Sequence, residues 1–143
     1  MNDKTITVYN AYKDENKKDR WARTVIYGVE YHYSSQRTVD QSGAVIYTPT
    51  LTVIVPDTAD FGTKAYIDAV GYSKLSVGEI ESYFTFNPSN NKDVIVAGEC
   101  DKEISQGYRI SQLQSEYQKS GTIISLSDNT EGDLLKHYKV VCK

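Results

Sequence analysis

The chain has 143 residues, 39% of them hydrophobic and 24% charged, with a formal net charge of -3. That size and balance predict a single domain over residues 1–143 with its own core, and exclude a disordered chain. The acidic balance also argues against a general nucleic-acid binder, which needs a basic excess.

The first ten residues, MNDKTITVYN, are polar and lack the apolar core of a signal peptide. No apolar run approaches the length of a membrane span, so no membrane partner is expected. Twelve tyrosines stand against three phenylalanines. A tyrosine ring with a polar tip suits strands that are half exposed or buried against a partner.

Residues 4–9, KTITVY, alternate and predict a first strand. Residues 10–19, NAYKDENKKD, are dense in charge and turn formers and predict a solvated hairpin loop, lysines included. The organising stretch follows, residues 20–33, RWARTVIYGVEYHY. Read with period two, Trp21, Val25, Tyr27, Val29, Tyr31 and Tyr33 share one face, interrupted by Arg23. This predicts a half-buried strand of about 45 Å, long enough to bend and serve two sheets. Gly28 is the expected bend, because glycine inside a strand often marks a bulge.

Residues 34–43 read as a polar connection. Residues 47–55, YTPTLTVIV, predict a strand near an edge, bracketed by Pro49 and Pro56. From residue 56 to 92 the pattern weakens, which predicts a long loop or insertion. Within it, residues 76–83 suggest a turn, and Phe84 and Phe86 a short strand. Residues 94–97 form a continuous apolar run, a buried strand that bends at Gly98. Ile110, Leu113 and Tyr117 make a helical stripe, with a cap at or before Ser111 and Gly121 as the helix end. Residues 122–127 and 136–142 predict two last strands around a turn at DNTEGD. The fold class is therefore mainly β: a small β-barrel or sandwich with one short α-helix and a long irregular loop. The expected core is Trp21, Val25, Val29, Val53, Val94, Val96, Leu113, Ile124 and Val140.

The motifs that carry chemistry are missing from the pattern. His32 and His137 lie in no metal-ligand cluster, and with Cys100 and Cys142 they are better explained as strand positions. Reduced thiols are the simplest reading of the two cysteines, with a disulfide left open. Asp57 with Asp60, or Glu99 with Asp101, offer carboxylate pairs of the kind that are usually just solvated. No phosphate loop or nucleophile elbow occurs. The chain is read as a non-enzyme with no cofactor and no metal. A small ligand-binding or hydrolytic barrel, its site assembled from distant residues, is the alternative.

Five segments together carry a resemblance: TITVYN, RWARTVIYGVEY, LTVIVP, DVIVAGECDKEI and IISLSDNTEGDLLKHYKV. In this order and spacing the chain resembles the minor capsid or head-tail joining (neck) proteins of Gram-positive siphophages and prophages. The resemblance covers most of the chain except residues 57–92. Tyr31 and Tyr138 stand where many relatives are expected to have tryptophan. The resemblance implies a homo-oligomeric ring at the head-tail junction of a virion, assembled in the host cytoplasm. The expected ring is the head-closure (stopper) ring, with tail-terminator or adaptor as alternatives. The implied partners are the chain itself, neck proteins on the portal or adaptor side and on the tail-terminator side, and phage DNA passing through without specific binding.

Within residues 56–75 the apolar side chains Phe61, Tyr66, Ile67, Val70 and Tyr72 are too many for an idle loop. Phe61, Tyr66, Ile67 and Tyr72 are the expected assembly contacts, buried between subunits or against an adjacent ring, with a long loop packed on its own domain as the alternative.

Overall fold

The structure, a computed structural model, describes residues 3–105, 107–131 and 136–143. It is mainly β. Its elements are β1 (Lys4–Lys13), β2 (Asp19–Val39), β3 (Val45–Pro56), β4 (Ala65–Tyr66), α1 (Ala69–Ser73), β5 (Tyr83–Phe84), β6 (Val94–Ala97), α2 (Ile110–Glu116), β7 (Ser120–Asp128) and β8 (His137–Cys142). Six strands pair antiparallel in the order β1-β2-β3-β8-β7-β6, and β6 pairs back onto β1. The ladder thus joins end to end as a small barrel. Of the expected turn DNTEGD, residues 132 and 133 lie outside the described residues.

Two strands turn the corners. The first part of β2 pairs with β1, and from Glu30 onward β2 pairs with β3. Likewise β7 pairs with β6 over residues 120–122, and with β8 from Ile123 to Asp128. Each corner strand carries a bulge. In β2 the register steps from Thr5↔Tyr27 to Lys4↔Val29 and leaves out Gly28, at φ 80. A glycine tolerates that left-handed backbone where other residues are strained. In β7 the register steps from Ile123↔Cys142 to Ser125↔Val141 and leaves out Ile124.

A bulge inserts one residue into a period of two, so the inward set changes parity. This corrects the face read from the sequence. Before Gly28 the buried residues are Thr24 and Ile26; after it Val29 is buried and Tyr31 and Tyr33 are half buried. Val25 and Trp21 are only half buried, and Tyr27 is 43% exposed. The same shift puts Ile123 in the core and Ile124 on the surface.

The barrel interior holds Ile6, Val8, Ile26, Val29, Leu51, Val53, Val55, Ile95, Ile123, Val140 and Cys142, joined by Phe84 and Phe86. A second cluster lies on the other side of β1 and β6. There Tyr9, Val94 and Val96 pack against Cys100, Ile104 and Leu113, with Trp21 and Tyr117 at its edge. The β6 run is therefore buried on both faces, which is why it reads as continuously apolar. Helix α2 occupies the predicted place and buries Leu113, but it ends at Tyr117. Gly121 is not its end. It lies in β7, where an added Cβ would sit 3.0 Å from the Cys142 Cβ and from the Lys143 nitrogen.

Candidate assembly surfaces

The expected contact residues lie in the segment between β3 and β6. That segment is more ordered than its pattern predicts, because its partners are distant in sequence. Strands β4 and β5 pair in parallel. Tyr27 and Asp60 exchange backbone hydrogen bonds of 3.0 and 2.8 Å. The Asp68 carboxylate accepts from the Gly71 N–H at 2.6 Å and caps α1.

Phe84 and Phe86 enter the barrel core, and the expected contacts gather on them. The Phe61 and Phe84 rings are 4.9 Å apart. Tyr66 lies 5.7 Å from Phe84, 5.8 Å from Phe86 and 4.5 Å from Tyr138 in β8. Tyr72 is buried in α1, and burial pushes its hydroxyl well above the ordinary tyrosine range. Ile67 is half buried, and its N–H donates to the Phe84 carbonyl at 3.0 Å.

Thus Phe61 and Tyr66 meet in one aromatic cluster, with Ile67 joined to it through the backbone. These side chains find partners within a single chain, the alternative that the sequence left open beside assembly. A buried polar network fixes the far end of the segment. Asp93 accepts from the Asn10 amide at 2.9 Å, the Ala11 N–H at 2.9 Å and the Asn90 amide at 2.8 Å. The Asn10 amide also donates to the Thr85 carbonyl at 2.6 Å. Burial raises the Asp93 carboxyl above its ordinary value, outweighing these hydrogen bonds.

Val70 stays 65% exposed and Val77 38% exposed in this segment, but the exposed apolar residues that adjoin one another lie elsewhere. Beyond the barrel, residues 34–39 of β2 pair only with residues 45–50 of β3. They form a two-stranded arm about 20 Å long, where the sequence reading had a polar connection over residues 34–43 and a strand only from Tyr47. Asp40 closes its tip, accepting from the Ser42 and Ala44 N–H groups at 2.9 Å each, with Gly43 at φ 87.

Val39 is 65% exposed, Val45 54%, Ile46 47% and Tyr47 58%. The pairs Val39↔Val45 and Arg37↔Tyr47 share one face, and Thr38↔Ile46 lies on the other. Both faces therefore expose apolar groups, and Arg37 is the only charged residue in either strand of the arm. At its root, Tyr33, Tyr47 and Pro49 border a hollow of about 310 Å³ shared with Gln114 and Gln118. The sequence signal was present in VIY at residues 45–47, but strand periodicity does not show whether a neighbouring strand exists.

The residues weighed for chemistry do not converge. Cys142 lies in the barrel core and Cys100 in the second cluster, both as free thiols, while His32 is exposed on β2. Burial pushes the Cys142 thiol up to about 12, so it is an inert core group. His137 lies beside Asn129, 3.3 Å from its amide. Glu99 accepts from the Tyr27 hydroxyl at 2.8 Å, and Asp60 accepts from the Gly62 N–H at 2.9 Å. Among the described residues no group of three or more His, Cys, Asp or Glu side chains is placed to hold a metal ion. None of the described helices is long and apolar enough to cross a membrane.

The whole chain, residues 1–143, matches the model of a family of unknown function (DUF6751). No curated protein and no solved structure matches it.

Proposed function

We propose that this chain, which belongs to that family of unknown function, is a structural neck protein of a long-tailed bacteriophage. In this reading it is a subunit of the head-closure ring between the portal or adaptor and the tail. It resides in the virion and assembles in the host cytoplasm.

The observation that carries the reading is the arm. A two-stranded ribbon is marginally stable alone. Open edges and exposed apolar side chains are a liability that monomeric proteins usually blunt. Here Val39, Val45, Ile46 and Tyr47 are left uncovered together at the end of the barrel, whereas the other exposed large apolar side chains, Tyr27, Val70, Val77 and Ile124, lie apart from one another in sequence. A neighbouring subunit would cover both faces and could extend the ladder along either edge. A heterologous contact of that kind closes into a ring when its rotation allows. The five-segment resemblance points to the same assembly. The net charge of -3 suits a channel that DNA traverses without being gripped.

The test is location in a purified particle. The chain should be recovered from virions by mass spectrometry, and an antibody against it should label the head-tail junction in electron micrographs. Label at the capsid-proximal or tail-proximal side of the neck separates head closure from adaptor or tail terminator. Absence of the chain from intact particles would defeat the reading.

A further inference from the structure

The β1–β2 turn and the start of α2 face each other across a cleft of about 630 Å³, within the size range of ligand sites. The sequence reading gave the turn's lysines to solvent. The structure sets Trp21 and Arg109 beside them. Lys13, Lys17 and Lys18 line one wall and Arg109 the other, with Trp21 and Ile110 as apolar lining. Among the described residues the only carboxylate in the lining is Asp19, and it is already held by Lys13 at 2.5 Å and Lys92 at 2.9 Å.

The walls are built. Asp14 accepts from the Asn16 and Lys18 N–H groups at 2.9 Å each and fixes the turn. Asp14 also binds Arg20 at 2.9 Å. The Trp21 Nε1–H donates to the Lys92 carbonyl at 3.0 Å, which sets the indole plane. A cationic rim around an aromatic surface, in a chain of net charge -3, is a local reversal of charge.

We propose that this cleft is a docking site for an acidic peptide segment of a partner protein, one that carries an aromatic or aliphatic side chain among its carboxylates. The carboxylates meet the lysines and Arg109, and the apolar side chain covers Trp21. A nucleic acid fits less well. Phosphate tracking needs a continuous basic stripe, whereas in the hollow on the other side of Trp21 the carboxylates Glu81 and Glu103 interrupt Arg20, Arg23 and Lys64, and Arg20 is already paired with Asp14. The cleft and the arm lie at opposite ends of β2, so this site goes beyond the ring reading and does not depend on it.

Trp21 is the only tryptophan in the chain, so its fluorescence reports directly on the cleft. The probe is a blocked Asp-Glu-Phe-Asp-Glu peptide, with blocked Asn-Gln-Phe-Asn-Gln as its uncharged counterpart and oligothymidylate as the nucleic-acid competitor. The acidic peptide should change the emission saturably, and more weakly as salt is raised. The double variant Lys17→Glu, Arg109→Glu should weaken binding about tenfold or more. Both positions are exposed, and an unchanged far-ultraviolet circular dichroism spectrum will show that the fold is kept. Lys74→Glu, outside the cleft, should bind like the wild type. No saturable response, equal binding of the uncharged peptide, or tighter binding of oligothymidylate would each overturn the proposal.

Discussion

The segment between β3 and β6 and the arm of β2 and β3 are both apolar outgrowths of one barrel, and they end differently. The segment turns back on its own chain. Phe84 and Phe86 enter the core, Phe61 and Tyr66 pack against them with tilted rings, and Asp93 anchors the far end to β1. The arm runs outward from the last β1 and β8 pairings and keeps Val39, Val45, Ile46 and Tyr47 in solvent. Apolar content alone does not tell which outgrowth needs a partner. What decides is whether the topology brings another surface of the same chain over it.

Loss of the segment's own partners should give the largest effect. Phe84→Ala should destabilise the monomer by about 3–5 kcal/mol, because a fully buried ring leaves a cavity. Urea unfolding measures this, and a loss below about 1 kcal/mol would mean that the segment is not part of the core. Asp93→Ala should remove about 1–3 kcal/mol by stranding the Asn10, Ala11 and Asn90 donors.

The Asp93 carboxyl also gives a pH test. Its value is raised on folding by burial. Its contribution is therefore complete below the ordinary carboxylate value and is lost as pH rises through the raised one. Measured against Asp93→Asn, the wild type should gain stability as pH falls through the raised value towards the ordinary carboxylate value. A difference independent of pH would place Asp93 in water. At the small end is Tyr72→Phe. The Tyr72 hydroxyl is buried without a hydrogen-bond partner among the described residues. Its removal should leave stability unchanged or raise it by about 1 kcal/mol.

The arm should behave oppositely to Phe84. Ile46→Ser, Tyr47→Ser should change monomer stability by less than about 0.5 kcal/mol, yet lower the molar mass seen by light scattering at high protein concentration. A variant that unfolds the monomer instead would show that the arm packs on its own barrel.

Much of the barrel was legible in the residues. The two-residue alternation of β1, β2 and β3, the double-sided burial of β6 and the Leu113 stripe of α2 all carry local signals. Gly28 was legible as a bend. Its effect on parity was not, because a bulge is visible only once the partner strand sets the register, so Tyr27 and Val25 were placed on the wrong side. Ile124 lacks even a glycine to mark its bulge. The candidate surface was the least legible part. Phe61 and Tyr66 looked unpartnered because Phe84, Phe86 and Tyr138 are distant in sequence. The arm looked like a connection because SSQRT at residues 34–38 is polar on both faces and leaves Val39 alone.

Hydrogen exchange on the free subunit and on the self-assembled protein tests the central contrast most directly. Residues 60–71 should be protected equally in both states, while residues 34–39 and 45–50 should exchange freely in the subunit and slowly in the assembly. Protection gained on assembly in residues 60–71, with the arm unchanged, would contradict it.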